Sequence, residues 1–135
     1  MFDKTPTLYV FMRTDLPDHT PGKALAQCNH AGTEFVVRAG EIMGRESEDS
    51  DLRAAFKEWC DETGTFGTCI VLGISHSELL ALEAAFRDYA LLSGLVVDPT
   101  YPIRNGHETI TVPLTTCGWA FARRRNAFWT HLPLY

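Results

Sequence analysis

No two cysteines in this chain stand in a C-x-x-C pair: Cys28, Cys60, Cys69 and Cys117 are widely scattered. That excludes the zinc-knuckle and dithiol redox motifs and leaves reduced, mostly buried thiols as the expectation. His107 and His131 have no sequence partner at metal-ligand spacing, so neither a metal nor another cofactor is expected. No stretch approaches the roughly 20 apolar residues of a membrane span. The opening "MFDKTPT" carries no apolar signal region, so we expect no membrane partner and a cytoplasmic location. Positive charge is also in short supply, with 12 Lys and Arg against 17 Asp and Glu, a formal charge of −5. A protein that grips nucleic acid mainly through phosphates usually carries a basic surface, because neutralising phosphates releases counterions. Any basic patch here has to be local. Internal repeats and low-complexity segments are absent as well.

What is present fits one globular domain over residues 1–135, with 45% hydrophobic and 21% charged residues. "TLYVFMR" (7–13) is apolar and rich in strand formers, and the loop "TDLPDH" follows it. Thr20 is a good N-cap and Pro21 suits the first helical position, so a helix should begin there and end near Gly40 or Gly44. "GRESEDSD" is a polar surface connection, expected to be the most mobile internal segment. A second helix over about 51–61 puts Leu52, Phe56 and Trp59 on one side, and "TFGTCIVLGI" reads as a strand covered on both faces. Ser75 and Glu78 have capping-box spacing at the head of a third helix, with Gly94 as its stop. "LVVD" is then a short strand, "DPTYPIRNGHE" a turn-rich loop, and "TITVPLTTCGWAFA" the last strand, in two pieces if Pro113 breaks it. The tail "RRRNAFWTHLPLY" holds at most a short helix. Buried strands alternating with amphipathic helices predict an α/β three-layer sandwich, a mixed sheet of about four strands with helices on both faces. In such folds ligands collect at the carboxyl ends of strands, here "TDLPDHTPGK" and "DPTYPIRNGH".

The first helix raises the chemical question. At about 100° per residue, Ala24, Cys28, Ala31 and Phe35 form one face, while Lys23, Gln27, His30 and Glu34 stack on a second, within roughly 40° of one another. Lys23 together with free N–H groups of the first turn would make an anion site; a solvated lysine is the plain alternative. His30 is either a proton relay or a histidine satisfied by a backbone carbonyl. Asp98, ending a strand before Pro99, is a general base or a turn initiator. Thr115 and Thr116 either aim hydroxyls into a site or pack within the strand. Arg123, Arg124 and Arg125, flanked by Trp119, Phe121, Phe128 and Trp129, form the one basic cluster with interleaved aromatics. Such a mixture binds phosphates and stacks on bases, or is a solvated edge beside core aromatics.

Residues 13–31, "RTDLPDHTPGKALAQCNHA", resemble the opening of the peptidyl-tRNA hydrolase II family, the archaeal and eukaryotic type. Family members run from an Arg-x-Asp-Leu strand end through a Gly-Lys turn into a helix reading Ala-Gln-Cys-Ser-His-Ala. This chain offers Arg13, Asp15 and Leu16, then Gly22 and Lys23, then Ala26, Gln27, Cys28, Asn29, His30 and Ala31, with Asn29 in place of serine. Weaker echoes follow in "FKEWCDETGTFGTCIVLGI", in "TTCGWA" and in the ending "HLPLY". The resemblance implies a homodimeric α/β enzyme that hydrolyses, without a metal, the ester joining a peptide to the 3′-terminal ribose of tRNA. Carried over by position, Lys23 would hold phosphate or the developing oxyanion, Gln27 and His30 would orient substrate or water, and Thr115 would sit across the cleft. The family turn usually carries additional lysines where this chain has Pro17, Asp18, His19, Thr20 and Pro21. The family's Asp-Ala-Gly-Arg-Thr-Gln loop is replaced by "DPTYPIRNGHETIT", with Asp98 or His107 as the substitute for its carboxylate. Substrate contacts are expected from Lys23, His107, Tyr101, Trp119, Arg123 and Arg124. The partner is then tRNA. A divergent member could instead bind or cleave a small nucleotide such as a cyclic dinucleotide, or bind a nucleotide without chemistry; a pocket for one or two phosphates needs few cations.

Overall fold

The computed structural model describes residues 3–45 and 50–135. Half of the connection expected to be mobile, residues 46–49, lies outside the described residues. The elements run β1 (Pro6–Arg13), α1 (Pro21–Met43), α2 (Ser50–Asp61), β2 (Cys69–Ile74), α3 (His76–Tyr89), β3 (Leu92–Asn105) and β4 (Glu108–Arg123). Two short 3-10 turns, Arg124–Asn126 and Phe128–His131, follow where a short helix was expected. The sheet order is β2-β1-β4-β3. β1 and β2 are parallel while β4 is antiparallel to both β1 and β3, so the sheet is mixed, as the alternation of strands and helices predicts.

β1 is buried along its whole length because both of its faces meet a helical layer. Its side chains alternate across the sheet. Leu8, Val10 and Met12 join Phe35 of α1, Trp59 of α2 and Trp119 and Phe121 of β4 in one core. Tyr9 and Phe11 join Leu79 and Phe86 of α3 and Trp129 in the other. The three-layer arrangement follows from those two cores. Among the described residues, no helix is long and apolar enough to cross a membrane.

Local signals set the helix starts. Thr20 caps α1 with Pro21 in the first turn, and Ser75 and Glu78 form both halves of a capping box on α3. The last third of the chain departs from expectation. α3 ends at Tyr89, and Gly94, read as its stop, lies inside β3. A Cβ at Gly94 would come within 2.6 Å of Glu34 Oε1 and 2.8 Å of Trp119 Nε1, so close approach, not a helix cap, explains the glycine. The expected short strand and proline-rich loop form one 14-residue strand. Pro99 and Pro102 are tolerated because β3 is outermost and one of its edges needs no donors. Pro113 does not break β4, because it sits at an irregularity between the pairs Asp98↔Leu114 and Tyr101↔Val112, beyond the part of β4 that pairs with β1. The hairpin closes through Gly106 and His107, with Gly106 at φ +64°, the conformation that favours glycine.

Candidate active site

The end of β1, the first two turns of α1 and the middle of the β3–β4 hairpin meet at one place. Thr20 Oγ1 accepts from the N–H of Lys23, which fixes the first turn and sends the lysine side chain toward β3. Its ammonium donates to the Asp18 carbonyl at 2.9 Å, to Asp18 Oδ2 at 2.9 Å and to the Pro102 carbonyl at 2.8 Å, and it lies 5.3 Å from the centroid of the Tyr101 ring. Asp18 Oδ2 also accepts the N–H of Arg104. Hydrogen bonds from Lys23 and then Arg104 hold the Asp18 carboxyl below its ordinary value.

One turn on, Gln27 is buried. Its Nε2 donates to Asp98 Oδ2 at 2.7 Å, and its Oε1 accepts from the hydroxyl of Thr116 at 2.7 Å. The other oxygen of Asp98 accepts the N–H of Thr100. Burial pushes the Asp98 carboxyl up, but the bonds from Thr100 and Gln27, with the field of His30, outweigh it and hold the group below the usual carboxylate value. His30 itself is exposed beside this carboxylate. The polar stripe of α1 therefore faces β3 and β4, with His30 left exposed at its edge. Glu34 continues it by accepting from Trp119 Nε1, and Arg38 by donating to the Ser93 carbonyl.

Thr116, not Thr115, meets Gln27. Val96 pairs with Cys117 and Val97 with Thr115, leaving Thr116 as the extra residue of a β-bulge. A bulge shifts the alternation of side chains by one, so Thr116 and Cys117 both turn toward α1; the Cys117 thiol donates to the Gln27 carbonyl. Thr115 contributes its backbone instead, accepting from Arg13 Nη1 at 2.9 Å. Nothing in the sequence marks that bulge. The arginine and aspartate of the opening motif brace the site: Arg13 Nε binds Asp15 Oδ1, and Asp15 Oδ2 accepts the N–H of His76 at the head of α3.

Other expected contacts are not brought here. Trp119 and Tyr101 are fully buried and have no free ring face for a base; Tyr101 instead donates to the Pro17 carbonyl and backs the Lys23 ammonium. His107 lies at the hairpin turn, exposed. Arg123 stands at the opposite end of β4, six strand residues or about 20 Å from Cys117, and Arg124 opens the 3-10 turn that follows. Arg123 is buried and bound by Glu58, Asp51 and the Lys4 carbonyl, and Arg124 by Thr7 and Asp3. Both guanidinium groups are thus engaged by carboxylates of the chain itself.

The family model for peptidyl-tRNA hydrolase PTH2 matches residues 7–117. This chain belongs to the PTH2 family. The match begins in β1 and ends just past the bulge, so it contains Lys23, Gln27, His30, Asp98 and Thr116 and excludes Trp119 and the arginine triplet. PTH2 membership implies peptidyl-tRNA hydrolase activity at the level of the family. No curated protein matches the chain.

Proposed function

We propose that this PTH2 member is a carboxylic ester hydrolase that releases a peptide, or an N-blocked aminoacyl group, from the 3′ end of tRNA without a metal. The observation that carries the reading is the Gln27 amide clamped between the Asp98 carboxylate and the Thr116 hydroxyl, within the segment that the family model matches. Asp98, ionised and held by Gln27, orients a water and takes its proton as the water attacks the ester carbonyl. Lys23 stabilises the oxyanion or an adjacent phosphate, and His30, exposed beside Asp98, orients the substrate. The proton then passes from Asp98 to the departing 3′ oxygen of the ribose, which balances the reaction. Thr116 fixes Gln27, and Thr115 acts through its backbone carbonyl on Arg13. This reading implies a cytoplasmic enzyme of one domain over residues 1–135.

The test is a product assay by mass spectrometry on N-acetyl-aminoacyl-tRNA and, separately, on cyclic and linear dinucleotides. Release of the acetylated amino acid by the native protein, lost in Lys23→Ala, is the expected result. No release from tRNA sinks it.

A second reading, a pocket for a small nucleotide that is cleaved or simply retained, is favoured by one observation: Arg123 and Arg124 are already engaged by carboxylates in a chain of net charge −5. Salt separates the two. Affinity for tRNA through many phosphates falls steeply between about 50 and 200 mM salt, whereas a one- or two-phosphate ligand responds weakly.

A further inference from the structure

Two donors from separate elements converge on one oxygen near Lys23. The ammonium of Lys23, in the first turn of α1, and the backbone N–H of Arg104, in the outer strand β3, both reach Asp18 Oδ2 at 2.9 Å. The carboxylate is presented by strained backbone: Asp18, at φ +49°, is the one non-glycine residue with positive φ among the described residues. An ammonium has three N–H donors, and those of Lys23 are spent on the Asp18 carbonyl, the Asp18 carboxylate and the Pro102 carbonyl. A second anion has no donor of Lys23 left to bind unless Asp18 withdraws.

We propose that Asp18 is an internal anion seated in the site that receives a phosphate group of the nucleotide ligand, and that its displacement makes this site selective for phosphate. The proposal rests on the reading above that Lys23 binds an anion. A ligand carboxylate would do no more than replace the tethered one, which is held at no cost in translational freedom. A phosphate brings up to two charges and three strong acceptor oxygens, enough to take both the Lys23 ammonium and the Arg104 N–H. The tether itself is weak, because the Asp18 side chain is 36% exposed and the Lys23 side chain 20%. The loop that carries Asp18 is connected to α1 through Thr20 and Pro21, so withdrawal of the carboxylate leaves the helix cap in place.

The experiment is an NMR titration of backbone amides with adenosine 5′-monophosphate, and with adenosine as the uncharged control. The proteins are the native chain, Asp18→Asn, Asp18→Gly, Lys23→Ala and the double variant Asp18→Asn with Lys23→Ala. Asp18→Gly suits a positive φ and removes the carboxylate without straining the loop, so it guards against loop damage in Asp18→Asn. We expect both Asp18 variants to bind the monophosphate about three- to fivefold more tightly, a range set by the modest strength of exposed ion pairs. The Arg104 amide should shift on binding, adenosine should show no gain, and Lys23→Ala should cancel the effect. Equal or weaker binding in both Asp18 variants, with Lys23→Ala still impaired, overturns the proposal and leaves the Lys23 reading intact. Native affinity in Lys23→Ala overturns both.

Discussion

A buried primary amide is satisfied only when an acceptor meets its NH2 group and a donor meets its oxygen. Gln27 has one of each, Asp98 and Thr116, and this is what fixes the orientation of the carboxylate we place at the centre of the reaction. Asp98→Asn should lower single-turnover hydrolysis by about 10²-fold or more while ligand affinity changes little, since a general base contributes to the transition state; an unchanged rate moves the base elsewhere. The pH profile is a second check. The hydrogen bonds from Thr100 and Gln27 outweigh burial and hold Asp98 below 3.8, so the active form is the deprotonated one and is lost only as pH falls through that depressed value. We expect kcat/KM to stay level through the neutral and weakly acid range, with an acid limb only below the ordinary carboxylate range. A limb near neutral pH would assign the base to a group other than Asp98. Thr116→Val removes the donor to a buried oxygen and should destabilise the protein by about 1–3 kcal/mol. Thr115→Val, whose hydroxyl bonds nothing among the described residues, should stay within about 0.5 kcal/mol. Urea unfolding of the two variants compares them directly, and equal losses would contradict the assignment to Thr116.

Elements differ in how far their own residues dictate them. The start of α1 is written in Thr20-Pro21, and that of α3 in Ser75 and Glu78, because a cap is a contact between residues three apart. β3 cannot be read this way. Its proline-rich half looks like a loop until it pairs with β4, since an outer strand tolerates proline on its unpaired edge. Gly94 misleads for the same reason: a glycine after an amphipathic run resembles a helix stop, whereas here it makes room for Trp119, Glu34 and Arg38. Gly94→Ala should therefore cost about 1–3 kcal/mol, the usual penalty for forcing extra volume into a packed site. A thermal melt indistinguishable from that of the native chain would show that Trp119 moves aside freely.

On the scale of the molecule, α1 has work on both sides. Its inner polar stripe builds the candidate site, while Leu25, Val36 and Val37, with Phe66 nearby, leave apolar surface exposed beside a cavity of about 520 Å³ lined by Cys28, Gly32, Val36, Phe66 and Cys69. Exposed apolar surface of that kind marks an interaction site, and we propose that it pairs two copies of the chain, the homodimer that the family resemblance implies. Light scattering should give a mass near twice 15.1 kDa, falling to that of one chain in Val36→Glu. A native chain that stays monomeric at high concentration would refute the pairing.

The sequence by itself determined the layers and the family: hydrophobic alternation and helix caps are short-range signals, and residues 13–31 carry the lysine, glutamine and histidine of the site on consecutive turns of one helix. Only the tertiary structure decided which partners that helix meets. The bulge that exchanges Thr116 for Thr115, the capture of Lys23 by Asp18 and Pro102, and the engagement of Arg123 by Asp51 and Glu58 join residues from 5 to 89 positions apart. Most of these contacts depend on strand register, which the sheet fixes as a whole and no local pattern of residues encodes.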